Sequence, residues 1–127
     1  MIYITGDTHR DFRRVETFCN VTETTKDDIL IILGDAGINY YGESNDNCLK
    51  EELSKLPITL FCILMKYIPR EVFLSSIDQS TVDNSTEEWL DTIEDRLTYS
   101  RCYCGHYHTN KTIDRMRFLF EDFLELV

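Results

Sequence analysis

Three short stretches of the chain hold the residue types that bind divalent cations. Each places Asp or His directly after a glycine: Gly6-Asp7-Thr8-His9, Gly34-Asp35 and Gly105-His106-Tyr107-His108. All three histidines of the sequence lie in these motifs. A mixed set of carboxylate and imidazole ligands suits Mn, Fe or Zn, whereas Ca prefers sites made of oxygen alone. The pattern predicts a transition-metal site whose candidate ligands are Asp7, His9, Asp35, His106 and His108.

Each motif follows a segment typical of a β-strand. Residues 2–5 are β-branched or aromatic, residues 29–33 are apolar at consecutive positions, and residues 101–104 precede the third motif. Open α/β sheets bind ligands at the carboxyl ends of their strands, so the three motifs are expected to face one shared space. Gly-Asp pairs are also common at turns, and a plain turn with His9 exposed explains the first motif equally well when it is taken alone.

The remaining segments supply helices and further strands. Helical spacing of apolar residues predicts three helices, over 12–19, 44–56 and 85–97. Ser44 is the expected cap of the second helix, and Trp89 belongs to the buried stripe of the third. A third strand is expected over 58–63, after Pro57. The apolar spacing of the tail, 111–127, fits a helix.

In this order and strand context, the motifs resemble the signature blocks of the calcineurin-like metallophosphoesterase family. That family carries GDxH, GD, GNH followed by an acid, an isolated His, and GHxH; this chain has GDTH at 6–9, GD at 34–35 and GHYH at 105–108. The GNH block and the isolated His have no counterpart. The segment after the third strand resembles a part of relatives that lies well beyond GNH, which implies an internal deletion with its junction near 64–67.

The resemblance implies an α/β fold in a single domain over 1–127. The expected architecture is a shortened form of the layered calcineurin-like phosphoesterase fold, with a central mixed sheet of four to six strands flanked by helices. For the tail it implies a short strand pair, with 116–120 in the second strand, instead of the helix that spacing also allows.

The resemblance further implies hydrolysis of a small phosphomonoester or phosphodiester by metal-activated water. In such sites two metals lie about 3.5–4 Å apart. Carried over by position, the first metal takes Asp7, His9, Asp35 and His108, and the second shares Asp35 and takes His106. Asp35 and His106 therefore receive the catalytic roles. Because the second metal lacks its other two ligands, we expect one or two divalent ions (Mn, Fe or Zn) and weak hydrolysis.

Arg10 departs from the family, which usually has Gly or another small residue after the motif His. Its guanidinium is expected either to donate to a substrate phosphate or to be solvated at the start of the first helix.

Two alternatives belong to other classes of function. The chain is also consistent with a catalytically inactive metal-binding remnant that acts as an interaction module, because the middle block is missing. A zinc knuckle would use Cys102, Cys104, His106 and His108. Alternate residues of a strand face the same way, so these four would be splayed along the strand unless it turned sharply.

Composition limits the setting and the partners. The chain has 127 residues, 43% of them hydrophobic, and a formal net charge of −10, which predicts a globular domain that repels long nucleic acid. It has no apolar run of membrane-spanning length and no basic amino-terminal signal region. Five cysteines, an odd number, are expected as thiols in a reducing cytoplasm. Sheet edges uncovered by a deletion predict a homo-oligomer.

Overall fold

The structure is a computed structural model, and it describes residues 1–39, 41–63, 89, 92–93 and 96–126. This part of the chain forms two mixed β-sheets and two delimited helices, which confirms the α/β class. In chain order the elements are β1 (Ile2–Thr5), α1 (Arg13–Thr22), β2 (Ile29–Leu33), α2 (Glu43–Leu53), β3 (Thr59–Ile63), β4 (Cys102–Cys104), β5 (Lys111–Ile113), β6 (Met116–Phe118) and β7 (Phe123–Glu125).

The first sheet has the strand order β3-β2-β1-β7. Its strands β1, β2 and β3 run parallel, and β7 pairs antiparallel with β1. The second sheet has the order β4-β6-β5, with β6 parallel to β4 and antiparallel to β5. The first sheet matches the expected size and mixture of a central sheet. The strand that carries the third motif joins the second sheet instead, because its partner comes from the tail hairpin.

Apolar residues cover both faces of the first sheet. On one face Leu30 and Ile32 pack in a cluster with Val15 and Cys19 of α1 and Leu53 of α2. On the other face Ile4 and Leu33 pack against Leu119, which follows β6. Alternation along β2 therefore supplies both layers, as expected for a strand buried on both sides. Leu119 also donates its N–H to the carbonyl of Cys104 at 2.8 Å, so this contact brings the end of β4 towards the end of β1.

Several boundaries differ from the sequence expectation. Helix α2 begins at Glu43 and ends at Leu53, three residues before the predicted end, and Gly42 occupies the cap position in place of Ser44. The tail forms strands, which confirms the strand pair over the helix. The proposed junction near 64–67 lies outside the described residues.

The prediction that Trp89 lies in the core is wrong. Trp89 is helical but 61% exposed, and Leu97 of the same predicted stripe is 58% exposed and lies beyond the helical residues. Helical spacing defines an apolar face but does not specify that another element covers it. Among the described residues, neither α1 nor α2 nor any other helix has the length and apolarity to cross a membrane.

The packing of the core predicts that substitutions of two isoleucines in the first sheet differ widely in their effect on stability. Ile32 is fully buried and Ile2 is 42% exposed. Ile32→Ala should lower the free energy of unfolding by about 2–5 kcal/mol, because it removes buried contacts and leaves a cavity. Ile2→Ala, the matched control, should cost less than half as much. Urea denaturation measures both, and equal losses would contradict this arrangement of the core.

Candidate metal centre

The three motifs meet because glycines allow the loops that carry them to approach closely. Strands β1 and β2 are parallel neighbours, so the loops that follow them emerge at the same edge. The loop after β4 reaches this edge through Gly105: a Cβ there would lie 1.7 Å from the carbonyl oxygen of Leu33. Gly34 has φ 109°, and a Cβ on it would lie 2.4 Å from Oδ1 of Asp7 and 2.9 Å from the backbone nitrogen of His106. Both glycines are therefore required for the three loops to converge.

The Asp7 carboxylate lies at the centre of the convergence. Its side chain is fully buried. Oδ1 accepts a hydrogen bond from the backbone N–H of His106 at 2.5 Å, and Oδ2 accepts one from the N–H of Asp35 at 3.3 Å. Buried carboxylates are stable only when such donors or cations satisfy them. Asp7 thus joins the loop after β1 to the loops after β2 and β4.

Three imidazoles surround the same carboxylate oxygen. Oδ2 of Asp7 lies 3.6 Å from Nε2 of His9, 3.7 Å from Nδ1 of His106 and 3.7 Å from Nε2 of His108. The two Nε2 atoms of His9 and His108 are 2.7 Å apart. Within the described residues, the group that brings three potential ligand atoms together is Asp7, His9 and His108, hereafter the donor cluster.

Asp35 and His106 lie at the border of the donor cluster. Oδ2 of Asp35 is 3.5 Å from Nδ1 of His9, the nitrogen that faces away from Asp7. Its other oxygen accepts the N–H of Gly37 at 2.8 Å. The imidazole of His106 lies next to Asp7, with its Nδ1 3.7 Å from Oδ2 of that carboxylate. The structure therefore brings all five predicted residues together, with three in one set of donors and two beside it.

The donor cluster fits a divalent transition metal. Ligand atoms 2.0–2.2 Å from a tetrahedral ion lie about 3.3–3.6 Å from one another, close to the observed separations between Asp7 and the two imidazoles. The Nε2 atoms of His9 and His108 are 2.7 Å apart, so they must separate by about 0.6–0.9 Å to bind the same ion. The side chains of His9 and His108 are 43% and 52% exposed, so one side of the cluster opens to solvent. Three ligands with an open side are the arrangement of a catalytic rather than a structural metal site.

The backbone of these loops is strained. His9, Arg10, His106 and His108 all have positive φ, between 46° and 74°. Each such non-glycine residue costs about 1–3 kcal/mol and persists only where its surroundings fix it. Here the N–H groups of Thr8 and His9 both donate to the carbonyl of Asp35 at 3.0 Å. Strain of this kind concentrates at functional sites, which favours a role for these loops beyond packing.

Arg14, on the face of α1 that packs on the sheet, stabilises the backbone of the first motif, a role that the sequence did not predict. Its guanidinium donates to the backbone carbonyls of Gly6, Asp7 and Glu121 and to the hydroxyl of Thr5. Burial lowers the pKa of Arg14 from its usual value. Apolar periodicity identified the face of α1 that packs on the sheet, but a cation on that face gives no comparable signal.

The zinc-knuckle alternative does not form. The thiols of Cys102 and Cys104 lie 4.0 Å apart, but the imidazoles of His106 and His108 turn towards Asp7. Where the structure describes side chains, no group of three potential ligands includes either cysteine. The turn that follows β4, at Gly105, separates the two thiols from the two imidazoles.

A cleft of about 510 Å³ adjoins the donor cluster. Its walls include Asp7 and His9, the exposed Arg13, and Phe120, whose ring stacks on His108 with centroids 4.7 Å apart. A cleft of this volume suits a small molecule rather than a polymer.

Comparison of the chain with family models, with curated proteins and with solved structures finds no match. Every functional inference for this chain therefore depends on its own residues and on the spacing of its motifs.

The convergence of the loops predicts a high cost for a substitution at Gly105. Gly105→Ala should lower the free energy of unfolding and open the donor cluster, because its Cβ would collide with the Leu33 backbone. Val21→Ala is the control: the Val21 side chain is 80% exposed on α1, so the change should alter the free energy of unfolding by no more than about 0.5 kcal/mol. Amide hydrogen exchange at His106 distinguishes them, and equal protection in both variants would contradict the proposed convergence.

Proposed function

We propose that this chain is a metal-dependent phosphoesterase-like hydrolase related to the calcineurin-like metallophosphoesterases, with a shortened form of their layered fold. The observation that carries the proposal is the donor cluster: residues 99 positions apart along the chain, His9 and His108, present Nε2 atoms to each other beside the buried Asp7 carboxylate. Packing alone does not require two half-exposed imidazoles to face a buried carboxylate. The carboxylate–imidazole donor set suits Mn, Fe or Zn.

A bound divalent metal would polarise a phosphoryl oxygen. It would also lower the pKa of a water bound to it, which makes hydroxide available as a nucleophile at neutral pH. Asp7, His9 and His108 would hold the metal. Asp35 faces Nδ1 of His9 at 3.5 Å, so its charge favours the tautomer with the proton on Nδ1 and the lone pair of Nε2 towards the cluster. His106 is half exposed beside the cluster, where its imidazole would supply a ligand to a second ion together with Asp35.

The surroundings support a small phosphoester as substrate. The adjoining cleft has the volume of a small-molecule site, and Arg13, with an 87% exposed side chain, is the cation at its wall that is most open to solvent. Its present partner is Asp11. Exposed ion pairs contribute little free energy, so an incoming phosphate can compete for the guanidinium. The net charge of −10 disfavours a long polyanion.

The incomplete second site supports weak turnover. Asp35 and His106 remain as its candidate ligands, and two ligands do not make a complete site. The absence of the GNH block from the sequence also favours the second candidate function, an inactive metal-binding module. Metal binding is common to both candidates, and hydrolysis distinguishes them.

Metal binding should depend on the donor cluster. We expect the protein to bind one tightly held equivalent of Mn²⁺ or Zn²⁺, measured by isothermal titration and by plasma mass spectrometry after dialysis. His9→Ala and His108→Ala should each weaken binding by more than about 100-fold, and Asp35→Asn by about 10- to 100-fold through its effect on His9. Asp27→Asn, an exposed carboxylate away from the motifs, is the control. Unchanged affinity in both histidine variants would show that the site is misassigned.

Hydrolysis should be slow and metal-dependent. Chromogenic phosphomonoester and phosphodiester substrates, assayed with Mn²⁺, Fe²⁺ or Zn²⁺, should be turned over well below the usual 1–10³ s⁻¹ of enzymes, because the second site is incomplete. Asp35→Asn and His108→Ala should abolish this activity, and chelation should remove it reversibly. Ordinary enzymatic rates would refute the importance of the missing block. One bound metal without turnover on either substrate would identify the inactive module.

A further inference from the structure

Arg10 has a backbone conformation that suits glycine. It follows the candidate ligand His9 and has φ 71°, in the left-handed region that an arginine rarely adopts. Glycine would relieve this strain but would also leave the loop more conformational freedom. The conformation therefore needs a compensating interaction made by the arginine side chain.

The side chain of Arg10 makes contacts that span three parts of the chain. Nη1 donates to the carbonyl of Gly37 at 3.0 Å and to Oδ1 of Asp46 at 2.6 Å, and Nη2 donates to the carbonyl of Asn45 at 2.9 Å. The guanidinium carbon also lies 5.0 Å from the centre of the Tyr41 ring. The expectation of a solvated side chain is therefore wrong: the Arg10 side chain is 25% exposed, and its guanidinium donates to three acceptors of the protein.

Asp46 is itself held in place by the beginning of α2. Its Oδ2 accepts the N–H groups of Tyr41 at 3.1 Å and Gly42 at 2.9 Å, and its side chain is only 6% exposed. A partly buried ion pair with this many directed hydrogen bonds defines a single geometry more strictly than an exposed pair does. The N–H of Arg10 donates to the carbonyl of Ala36 at 3.2 Å, so the residue is fixed at its backbone and at its guanidinium.

We propose that Arg10 is a positioning residue that holds the His9 loop in its metal-binding conformation, with Asp46 as its anchor on α2. The ion pair ties the loop after β1 to the loop after β2 and to the helix that follows. His9 thereby keeps one nitrogen towards Asp7 and the other towards Asp35. The effect of Arg10 on metal binding depends on the proposed function, whereas its effect on the loop does not.

The first test uses the metal-free protein and amide hydrogen exchange. In Arg10→Met and Asp46→Asn, the amides of His9 and Arg10 should exchange about tenfold or more faster, equivalent to ~1.4 kcal/mol of local stability. The amide of Ile31 in β2 should keep its protection. Arg10→Lys should recover little, because one ammonium cannot reach the three acceptors that the guanidinium spans. Arg115→Met is the matched control: its guanidinium lies 4.5 Å from the centre of the Tyr99 ring and donates to the Tyr99 carbonyl at 3.5 Å, outside the three motifs.

Two results of the exchange measurement would overturn the proposal. Unchanged protection of His9 and Arg10 in Arg10→Met would show that the ion pair does not fix the loop. Equal acceleration at Ile31 would show a general loss of stability without a specific effect on the loop.

The second test measures Zn²⁺ affinity of the same variants by isothermal titration. Arg10→Met and Asp46→Asn should weaken binding by about 10- to 100-fold, as the loss of a group that orients a ligand does elsewhere. Arg115→Met should bind Zn²⁺ as wild type does. Faster exchange with unchanged Zn²⁺ affinity would overturn the positioning role. If wild type binds no Zn²⁺, the proposed function fails, and the exchange data alone decide whether Arg10 holds the loop.

Discussion

The buried Asp7 carboxylate is the constraint on which the arrangement depends. It accepts backbone N–H groups from the loops after β2 and β4, and three imidazoles lie within 3.7 Å of one of its oxygens. A charge removed from water must be compensated by donors or cations, so the two sheets have to meet where those donors are. The glycines at 34 and 105 allow this approach, and the positive φ values of the histidine loops are a consequence of it.

Two arginines stabilise the strained loops from different directions. Arg14 satisfies backbone carbonyls at the end of β1 from the buried side, and Arg10 ties the following residues to α2. Both guanidiniums donate hydrogen bonds to acceptors of the protein itself. The histidines of the donor cluster are half exposed, so one side of the cluster opens to solvent.

The sequence predicted the elements whose signals are local. The apolar run of β2 and the stripe of α1 gave both elements, because burial on a sheet imposes those periods. The strand-then-loop order of the motifs also predicted that the five candidate residues lie at one edge of the sheet, where the structure places them. The division into two sheets was not predicted, because strand pairing depends on contacts between residues distant in sequence. The Arg10–Asp46 ion pair was not predicted either. An arginine in a loop and an aspartate inside a helix look solvated until the fold is known. The prediction that Trp89 is buried was wrong for the converse reason: an apolar stripe on a helix does not show whether another element covers it.

The most direct measurement of the central claim is the anomalous scattering of crystals soaked in Mn²⁺. The account predicts a peak about 2.0–2.3 Å from Oδ2 of Asp7 and from the Nε2 atoms of His9 and His108, with these two imidazoles moved apart to admit the ion. A weaker second peak between Asp35 and His106 would mark a partly formed second site. Strong peaks on acidic surface groups, with none at the donor cluster, would contradict the assignment of a metal centre to these three motifs.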